Sequence, residues 1–409
     1  MTPAPHEPHQ HAHHEKRLTA VEPTGLPSAD RIRVVEVLAT GSNGGAQEHL
    51  YSLLTRMDRS RFETSVVALS PGSAVRKLQR AGIPVLVIDE PDDAIAVGAL
   101  AAHLASFRPD IVHNHMYRAE LVGTRAAIAL GEVGLRRPYV VSTVHSSRVR
   151  SAEDREQLRR LTPDMDRLIA VSRAIEAKLD DEGRTGLGTP VDLIYNGVDL
   201  QRYDHQEPCC TLRDEYGMEP GSQIVGVVAR LEPEKGHPTL FEAWPAVLRA
   251  VPDAYLLVIG EGSQRDALEA KARELRIAHR VVFTGRRDDV PAVTAALDVA
   301  VLPSYREAQG LSILEALALA RPVVASKVGG IPEMIEDGVT GLLVEPHDAE
   351  ALAQAITRLL TDHPYADTLA RQGHDLVHDR FCIELMVEAV EAIYEEGARW
   401  VRVPAVVAG

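Results

Sequence analysis

The chain has 409 residues, of which 45% are apolar and 25% charged, as is usual for globular proteins of two or three domains. Its formal net charge of -15 argues against a nucleic-acid-binding protein that relies on overall positive charge. No apolar run approaches the ~20 residues of a membrane-spanning helix, and the polar N-terminus lacks the apolar segment of a secretory signal. The three cysteines, two of them adjacent, indicate neither a disulfide framework nor a zinc site. We therefore expect a reducing, cytoplasmic location.

Residues 1–30 differ in composition from the rest of the chain. They contain few apolar residues and, among prolines and glutamates, the histidines His6, His9, His11, His13 and His14. Such a segment buries too little surface to offset its ordering entropy, so we predict a disordered His-rich tail. A metal-binding tail is the alternative.

From residue 31 the sequence alternates short apolar strands with longer helical stretches, which is typical of parallel, doubly wound sheets. In the first half we predict a helix at Gly45–Met57 and strands at Val34–Ala39, Val66–Leu69, Val85–Ile88, Ile111–His113 and Val140–Val144. The alternation then pauses in a segment rich in Pro and Gly. We predict an N-terminal Rossmann-like domain over 31–200, a linker over 201–222, a C-terminal Rossmann-like domain over 223–382 and a final helix within 383–409.

The second half repeats the alternation. We predict helices at His237–Ala250, Arg265–Leu275, Val290–Ala296 and Ala349–Leu360, and strands at Ile224–Val228, Tyr255–Ile259, Val281–Phe283, Val299–Leu302 and Pro322–Ala325. Open parallel sheets bind ligands at the carboxyl ends of their strands. The cleft between the two halves is therefore the predicted site.

The segment from Glu307 to Glu315 places two carboxylates eight positions apart around Gly310, at the predicted start of a helix. The amides of Gly310, Leu311 and Ser312 would be free there, because the first turn of a helix has unpaired donors. Free amides and the positive end of the helix dipole bind phosphate, while the flanking acids suit the hydroxyls of a sugar or ribose. The pattern favours a nucleotide-sugar site. An amphipathic helix with a solvated Glu at each end is the alternative.

Two cations follow the first strand of the second half. Arg230 and Lys235 lie at the carboxyl end of Ile224–Val228, where a Rossmann-like half binds its ligand. A guanidinium fork and a compact ammonium together suit a diphosphate. Internal pairing with Glu232 and Glu234 in a solvated loop is the alternative.

The first half offers a glycine pair and three histidines near predicted strand ends. Gly44 and Gly45 permit either a tight turn or the close approach of a ligand. His113, His115 and His145 lie at the ends of later strands and predict a polar wall of the cleft. His-x-His can bind a metal, but no acidic third ligand is evident nearby, so we predict no metal site.

Further short motifs accompany these residues. In chain order the set is Gly44-Gly45-Ala46-Gln47, Tyr195-Asn196-Gly197-Val198-Asp199, Arg230-Leu-x-Pro-Glu-Lys235-Gly, Glu307-x7-Glu315, Gly329-Gly-Ile-Pro-Glu333 and Gly338-x-Thr-Gly341. This set resembles family 4 of the retaining glycosyltransferases over roughly Val34 to Leu360. The resemblance implies an α/β GT-B fold, in which two Rossmann-like, doubly wound domains face a central cleft. Family members commonly return the final helix to the first domain, a position that Ile383–Val401 would take.

The resemblance also implies roles for the residues of the second domain. Arg230 and Lys235 would hold the donor diphosphate and stabilise charge on the leaving nucleotide. The amides of residues 310–312 would support the same phosphates. Glu315 would bind the ribose and Glu307 the transferred sugar.

By the same resemblance, Gly44 and Gly45 would approach the phosphates or the acceptor. His145 would contact the sugar near the reacting centre, and the backbone around Arg286 would contact the base. The neighbouring Asp288-Asp289 pair opens a predicted helix, and we interpret it as a helix cap.

The implied reaction moves a sugar, with retention of anomeric configuration, from a nucleotide-diphosphate sugar to a hydroxyl acceptor. The family favours UDP, and the acceptor would be lipid-linked, a polysaccharide or a small molecule. No acid paired with Glu307 is obvious as a nucleophile, so we favour same-face attack in which the leaving phosphate assists deprotonation of the acceptor. We expect no cofactor, no nucleic-acid partner and no metal, because the two cations would supply the charge of Mg²⁺.

The chain departs from the family at Ala308-Gln309, where members usually have Gly-Phe. The exchange would remove an aromatic wall from the sugar pocket and add an amide, which puts the donor sugar in question. Arg148–Arg160 contains five arginines that would either meet anionic lipid in a peripheral membrane contact or lie on a solvated helix. The alternatives to a transferase are a GT-B epimerase of sugar nucleotides and a non-catalytic sugar-nucleotide binder.

Overall fold

The computed structural model describes residues 31–42, 44–148, 150–203, 208–209 and 211–403. The predicted His-rich tail, residues 1–30, lies outside these residues. The described chain forms two α/β lobes joined by a short connection, each built on one parallel sheet.

The first lobe contains, within the described residues, a seven-stranded parallel sheet of order β3-β2-β1-β4-β5-β6-β7. Its strands are β1 Ile32–Leu38, β2 Phe62–Ala68, β3 Val85–Val87, β4 Ile111–His115, β5 Tyr139–Val144, β6 Arg167–Ala170 and β7 Val191–Leu193. Its helices are α1 Gly45–Arg56, α2 Ser73–Arg80, α3 Asp93–Phe107, α4 Tyr117–Glu132, α5 Ala152–Leu161 and α6 Arg173–Asp181, with a 3₁₀ turn at Thr162–Asp164.

The second lobe contains, over the described part of the chain, a six-stranded parallel sheet of order β10-β9-β8-β11-β12-β13. Two short helices precede it, α7 Leu200–Tyr203 and α8 Leu212–Glu215. The strands are β8 Ile224–Val228, β9 Tyr255–Ile259, β10 Val281–Gly285, β11 Val299–Leu302, β12 Val323–Ser326 and β13 Leu342–Val344. The helices are α9 His237–Ala250, α10 Arg265–Glu274, α11 Val290–Ala295, α12 Leu311–Ala318, α13 Ala349–Thr361 and α14 His363–Arg380, with 3₁₀ turns at Pro233–Lys235, Ala278–Arg280 and Ile331–Glu333. A further helix, α15 Ile383–Arg402, follows.

The strands are apolar on both faces because helices cover both sides of each sheet. In β1, Val34 and Leu38 belong to one core cluster, and Val35 and Val37 to a second on the opposite face. The alternation of side chains along a strand puts Glu36 on the same face as Val34 and Leu38. The α/β fold with two doubly wound sheets is as the sequence predicts.

The last helix, α15, packs on the first lobe. It contacts α1, β1, β4 and β5, and its Met386, Val390 and Tyr394 lie in the same core cluster as Val34. Because α14 still belongs to the second lobe, the chain crosses between the lobes twice. Among the helices of the described residues, none combines the length and apolarity that would let it cross a membrane.

Among the elements that the sequence analysis missed are β6, β7, β13 and α14. Three of these are strands of three or four residues, and β6 and β7 each include a charged residue. Such strands are specified by pairing with their neighbours in the sheet rather than by a period of their own. Helix α14 carries polar residues on most of its surface and therefore gives a weak amphipathic pattern.

A buried ion pair holds α4 to the segment after α6, and it gives a stability prediction. Arg184 Nη2 lies 2.6 Å from Glu120 Oε2, both side chains are fully buried, and Arg184 Nε donates to Thr162 Oγ1 at 3.1 Å. We expect Arg184→Ala to lower the free energy of unfolding of this lobe by about 3–5 kcal/mol, because it leaves a buried carboxylate unpaired. Chemical denaturation of the full chain measures the effect.

The control is Arg160→Ala, which breaks an exposed pair with Glu156 and should cost less than about 1 kcal/mol. Equal losses in the two variants would show that the buried pair contributes nothing beyond a surface pair.

Candidate functional site

The carboxyl ends of the strands in the two lobes face each other across a cleft, and the predicted residues lie on the loops that follow those strands. Residues 229–236 follow β8, and residues 303–310 follow β11. From the first lobe, residues 39–44 follow β1, and His145 comes directly after β5. A small cavity between the lobes is lined by residues of α1, α7 and α12.

Lys235 and Glu307 form an ion pair at the centre of the second-lobe side of the site. Lys235 Nζ lies 2.5 Å from Glu307 Oε1, and the same carboxylate oxygen accepts from Ser304 Oγ at 3.0 Å. The side chains are 17% and 10% exposed, so solvent screens this pair less than an exposed one. The structure thus joins two predicted catalytic residues that are far apart in sequence.

Two glycines allow the backbone segments around this pair to touch. Gly236 has φ 68°, and a Cβ there would lie 1.8 Å from the carbonyl oxygen of Pro303. Gly329 has φ 52°, and a Cβ would lie 1.8 Å from the carbonyl oxygen of Glu307. Any other residue would push the loops apart, because these positions combine left-handed backbone with direct backbone contact. The Lys235–Glu307 distance depends on this packing.

Arg230 lies at the rim of the site. It is 53% exposed and pairs with Glu234 at 2.8 Å, the internal pairing that the sequence offered as an alternative. Its carbonyl oxygen is bound by Nε2 of buried His237 at 3.0 Å. The backbone at Arg230 is therefore fixed, while the guanidinium reaches into solvent beside the cleft.

Helix α12 presents its N-terminus to the first lobe. Gly310 caps it in the left-handed conformation, with φ 95°, and the amides of Leu311 and Ser312 have no acceptor within the helix. A Cβ at Gly45 would lie 3.9 Å from Leu311 Cδ1, so the loop containing Gly44 faces this helix end. The predicted glycine loop and the predicted phosphate-binding amides meet across the cleft.

Glu315 lies one turn further along α12 and lines the small cavity together with Glu48, Arg202 and Tyr203. Burial raises the pKa of Glu315 to about 7, an effect that the Tyr203 hydroxyl opposes. Glu48 adds like charge, while Arg202 acts in the opposite direction. Near neutral pH this carboxyl therefore exchanges a proton easily and can donate as well as accept a hydrogen bond.

Arg286 lies in the loop after β10, 44% exposed and 3.4 Å from Asp288. The predicted capping role of Asp288-Asp289 is wrong. Asp289 occupies the N-cap of α11 but makes no side-chain cap bond, because its carboxylate pairs with Arg287 at 2.7 Å.

The histidines of the first lobe form a buried cluster around an acid that the sequence analysis did not find. Glu36 Oε2 lies 2.7 Å from His115 Nε2 and 3.3 Å from His113 Nδ1. His115 Nδ1 in turn lies 3.0 Å from His145 Nε2. The sequence-based statement that no acid lies nearby is therefore wrong, because β1 and β4 are neighbours and their register pairs Glu36 with His113.

The nitrogens of His49, His115 and His145 lie within 4.8 Å of one another, as do the ligand atoms of Glu36, His113 and His115. Such spacing can hold a metal ion. In this structure the ring nitrogens of His113 and His115 are already occupied by hydrogen bonds, and we interpret the cluster as a hydrogen-bonded network. The absence of a metal site stays a prediction.

Gln309 does not line the sugar pocket, contrary to the expectation from sequence. It is buried, its Oε1 accepts from Asn196 N at 2.8 Å and its Nε2 donates to Asn196 O at 3.0 Å. The amide therefore binds the connection between the lobes. The presence of Gln309 in place of the family's usual aromatic residue thus affects the contact between the lobes.

Glu333 provides a second contact between the lobes. Its carboxylate accepts from the amides of Arg173 and Ala174 at 2.8 and 3.0 Å, where it caps the N-terminus of α6 in the other lobe, and from Tyr195 Oη at 2.9 Å. Nearby, Ser172 Oγ donates to the Ala308 carbonyl at 2.7 Å. The Gly329-Gly-Ile-Pro-Glu333 motif thus contributes to the contact between the lobes.

Comparison with known proteins agrees with this geometry. Residues 222–362 match the family described as "Glycosyl transferases group 1", and residues 43–202 match "Glycosyltransferase Family 4". A glycogen synthase of Mycobacterium tuberculosis is 31% identical over 314 residues, which are 73% of this chain and 72% of that protein. A D-inositol 3-phosphate glycosyltransferase of Mycobacterium sp. (strain JLS) is 30% identical over 356 residues, 80% of each chain.

The chain belongs to glycosyltransferase family 4. Among solved structures, this glycosyltransferase is similar to Anabaena HepE in complex with UDP-glucose, with a TM-score of 0.80 and 25% identity over 90% of this chain and 100% of that one. The two lobes therefore form a GT-B fold.

Three residues of this glycosyltransferase's site were missed from the sequence. Glu36 left a signal, since it is a charge in the middle of β1 with two valines before it and an apolar pair after it. Tyr203 lies in the segment assigned to the linker, and Ser304 follows Pro303 after β11. Neither of these two stands out by residue type or spacing.

The raised pKa of Glu315 gives a prediction on the glycosyltransferase's stability. An acid whose pKa is higher in the folded protein than in the unfolded chain holds more protons when folded. Its contribution to stability therefore falls as the pH rises from about 4.5 through about 7. We expect Glu315→Gln to unfold at the wild-type temperature near about pH 5 and at a higher temperature near about pH 8.

Thermal unfolding of both proteins at the two pH values measures this difference. The exposed Glu350→Gln should follow the wild type at both. A Glu315→Gln variant that parallels the wild type throughout would contradict the assignment of a half-buried, proton-exchanging carboxyl.

Proposed function

We propose that this glycosyltransferase transfers a sugar from a nucleotide-diphosphate sugar to a hydroxyl acceptor with retention of anomeric configuration. The observation that carries the proposal is the Lys235–Glu307 pair at 2.5 Å beside the free N-terminus of α12. A cation and a helix N-terminus bind phosphate, and an adjacent carboxylate binds sugar hydroxyls. The pair sits where the diphosphate and the sugar of such a donor would join.

In this proposal the diphosphate is held from two directions. The amides of Leu311 and Ser312 contact it along the axis of α12, and Lys235 neutralises it from the side. Arg230, at the exposed rim, swings from Glu234 onto the phosphates when the donor arrives. These groups stabilise the charge that develops on the leaving nucleotide.

The sugar lies between Glu307 and His145. Glu307 is bound by Lys235 and Ser304, which lowers its nucleophilicity and suits a carboxylate that accepts hydrogen bonds from the sugar. We therefore favour attack on the same face. The bond from the anomeric carbon to the phosphate oxygen breaks, the acceptor oxygen bonds to that carbon, and the acceptor proton passes to the leaving phosphate.

We propose UDP as the nucleotide, with its ribose at Glu315 and its base at the backbone near Arg286. Gly44 and Gly45 let the first lobe approach the phosphates. The choice of UDP is supported by the likeness to HepE, whose structure contains UDP-glucose. The acceptor is a hydroxyl compound, either lipid-linked, a polysaccharide or a small molecule.

We also propose that the reaction needs no metal and that the enzyme works in the cytoplasm. The charges of Arg230 and Lys235 offset those of a diphosphate without a divalent ion. Cys209 and Cys382 are free thiols, which suits a reducing compartment. Peripheral contact with the membrane would arise if the acceptor is a lipid.

The first activity prediction concerns the central ion pair. We expect Lys235→Ala and Glu307→Ala each to lower kcat by at least about 10²-fold, because each removes charge stabilisation or sugar positioning in the transition state. The control Lys271→Ala breaks a surface pair with Glu242 at 2.6 Å in the same lobe and should keep wild-type activity. Circular dichroism confirms the fold, and wild-type rates in both site variants would refute the assignment.

The second prediction concerns the donor. A thermal-shift screen over UDP-, GDP- and ADP-sugars should show the largest stabilisation by a UDP-sugar, since a ligand that binds the folded state raises its stability. The stabilising donor is then assayed with and without candidate acceptors, in the presence of EDTA. Transfer should persist in EDTA. Conversion to an epimer without acceptor would favour an epimerase, and binding without turnover a non-catalytic protein.

A further inference from the structure

Glu36 is a charged residue in the middle of the first sheet, buried on the face that α15 covers. Its position on β1 between Val34 and Leu38 would suit an apolar side chain, and its relative exposure is 0%. Each oxygen of the carboxylate has a close hydrogen-bond partner. Tyr394 Oη donates to Oε1 at 2.7 Å, and His115 Nε2 lies 2.7 Å from Oε2.

The carboxylate is ionised. Burial alone would raise the pKa of Glu36, but His113 and His115 hold it well below its usual range. An ionised carboxylate only accepts hydrogen bonds, so the protons on both contacts belong to Tyr394 and His115. The Tyr394 oxygen then accepts from His113 Nδ1 at 2.5 Å, and His113 Nε2 lies 2.7 Å from Thr143 Oγ1.

The same reasoning fixes the proton on His145. Burial lowers the pKa of His115 to about 4, so near neutral pH this ring carries one proton, on the Nε2 that faces Glu36. Its bare Nδ1 lies 3.0 Å from His145 Nε2, and two bare nitrogens would repel at that distance. His145, whose pKa burial and then His49 lower well below the usual range, must therefore donate from Nε2.

We propose that Glu36 acts through His115 as a positioning residue, which fixes His145 in the Nε2–H tautomer and leaves its Nδ1 as the acceptor for a sugar hydroxyl. The place of His145 at the sugar rests on the proposed function, whereas its tautomer does not. His115 and His145 lie at the carboxyl ends of adjacent strands, so the chain of bonds runs from the core of the first lobe to the cleft. A bond to the neighbouring ring sets which nitrogen of a histidine carries the proton.

If Glu36 had only a structural role, the network would need no groups beyond those that satisfy its charge. Burying a carboxylate carries a large desolvation cost, and an apolar side chain on this face would avoid it. The network also orders the rings of His113, His115, His145 and Tyr394. It branches at Glu36, and the branch through His115 leads to the cleft. These features favour a role in orienting His145.

The test uses Glu36→Gln, which keeps the shape and removes the charge. The amide oxygen accepts from Tyr394 and its NH₂ group faces His115, so His115 becomes protonated on Nδ1 and donates to His145. His145 then carries its proton on Nδ1. Exchange of a carboxylate for an amide behind a catalytic histidine reverses its tautomer in this way.

Full-length protein labelled with ¹⁵N-histidine reports the tautomer in long-range ¹H–¹⁵N spectra, in which the His145 signal is assigned by its loss in His145→Asn. We expect Nε2–H in the wild type and Nδ1–H in Glu36→Gln. We also expect kcat to fall at least about tenfold with the KM for donor within about twofold, because the change affects orientation at the reacting sugar.

The matched control is Tyr394→Phe, which removes one bond to the same carboxylate and keeps the Oε2–His115 bond. It should keep the Nε2–H tautomer of His145 and lower kcat less than about threefold. An Nδ1–H tautomer of His145 in the wild type overturns the proposal, even if Glu36→Gln does not fold. Stoichiometric zinc bound to the histidine cluster also overturns it. So does a Glu36→Gln variant in which both the His145 tautomer and kcat are unchanged. A tautomer switch in a protein that transfers no sugar would refute the proposed function alone.

Discussion

The proposed donor site depends on the contact between the two lobes, because each lobe supplies only part of it. The contact is polar at its centre. Gln309 binds the backbone of Asn196, Glu333 caps α6, and Ser172 donates to the Ala308 carbonyl. When the lobes separate, these groups can exchange protein partners for water without exposing an apolar core, so the contact suits a pair of domains that opens and closes around a ligand.

The chain crosses between the lobes at two points, and these points lie side by side. The chain leaves the first lobe at Val198 and returns at Cys382, and these two residues form a parallel bridge, with Val198 N donating to Phe381 O at 2.7 Å. At Gly197 a Cβ would lie 2.5 Å from the Cys382 carbonyl oxygen, so only glycine fits. Because α15 is embedded in the first core, both crossings are anchored to each other at this bridge.

From the sequence we could predict the elements that show a clear periodicity and the site residues that belong to motifs. The bounds of α9 and β9 agree with the structure, because each element pairs a clear apolar pattern with a turn signal. Of the six strands of three or four residues in the described chain, β6, β7 and β13 were missed, because their pairing is decided by the sheet. At the site, motifs identified Lys235 and Glu307, whereas their contact became visible only once β8 and β11 were neighbours.

The misinterpretation of Gln309 has a related cause. The family comparison placed position 309 in the sugar pocket by analogy with an aromatic residue. An amide has different needs, since its oxygen and nitrogen each require a partner when buried. The backbone of Asn196 offers both an acceptor and a donor at the right separation, and the side chain lies there. A residue exchange that alters hydrogen-bonding capacity can thus change the direction of a side chain, which sequence comparison alone does not reveal.

Glu36, in the core of the first lobe, and Glu315, on α12, differ in protonation, and their surroundings explain the difference. Glu36 faces three groups that carry N–H or O–H, so burial does not neutralise it. Glu315 faces Glu48 as well as Arg202 and Tyr203, and burial raises its pKa to about 7. The surroundings of Glu36 suit a fixed charge that orients a histidine. The surroundings of Glu315 suit a carboxyl that gains or loses a proton when a ribose hydroxyl replaces its present neighbours. Divergent environments of this kind separate the roles of chemically equal groups, and here they are consistent with the two proposed roles, a positioning acid in the first lobe and a binding acid in the second.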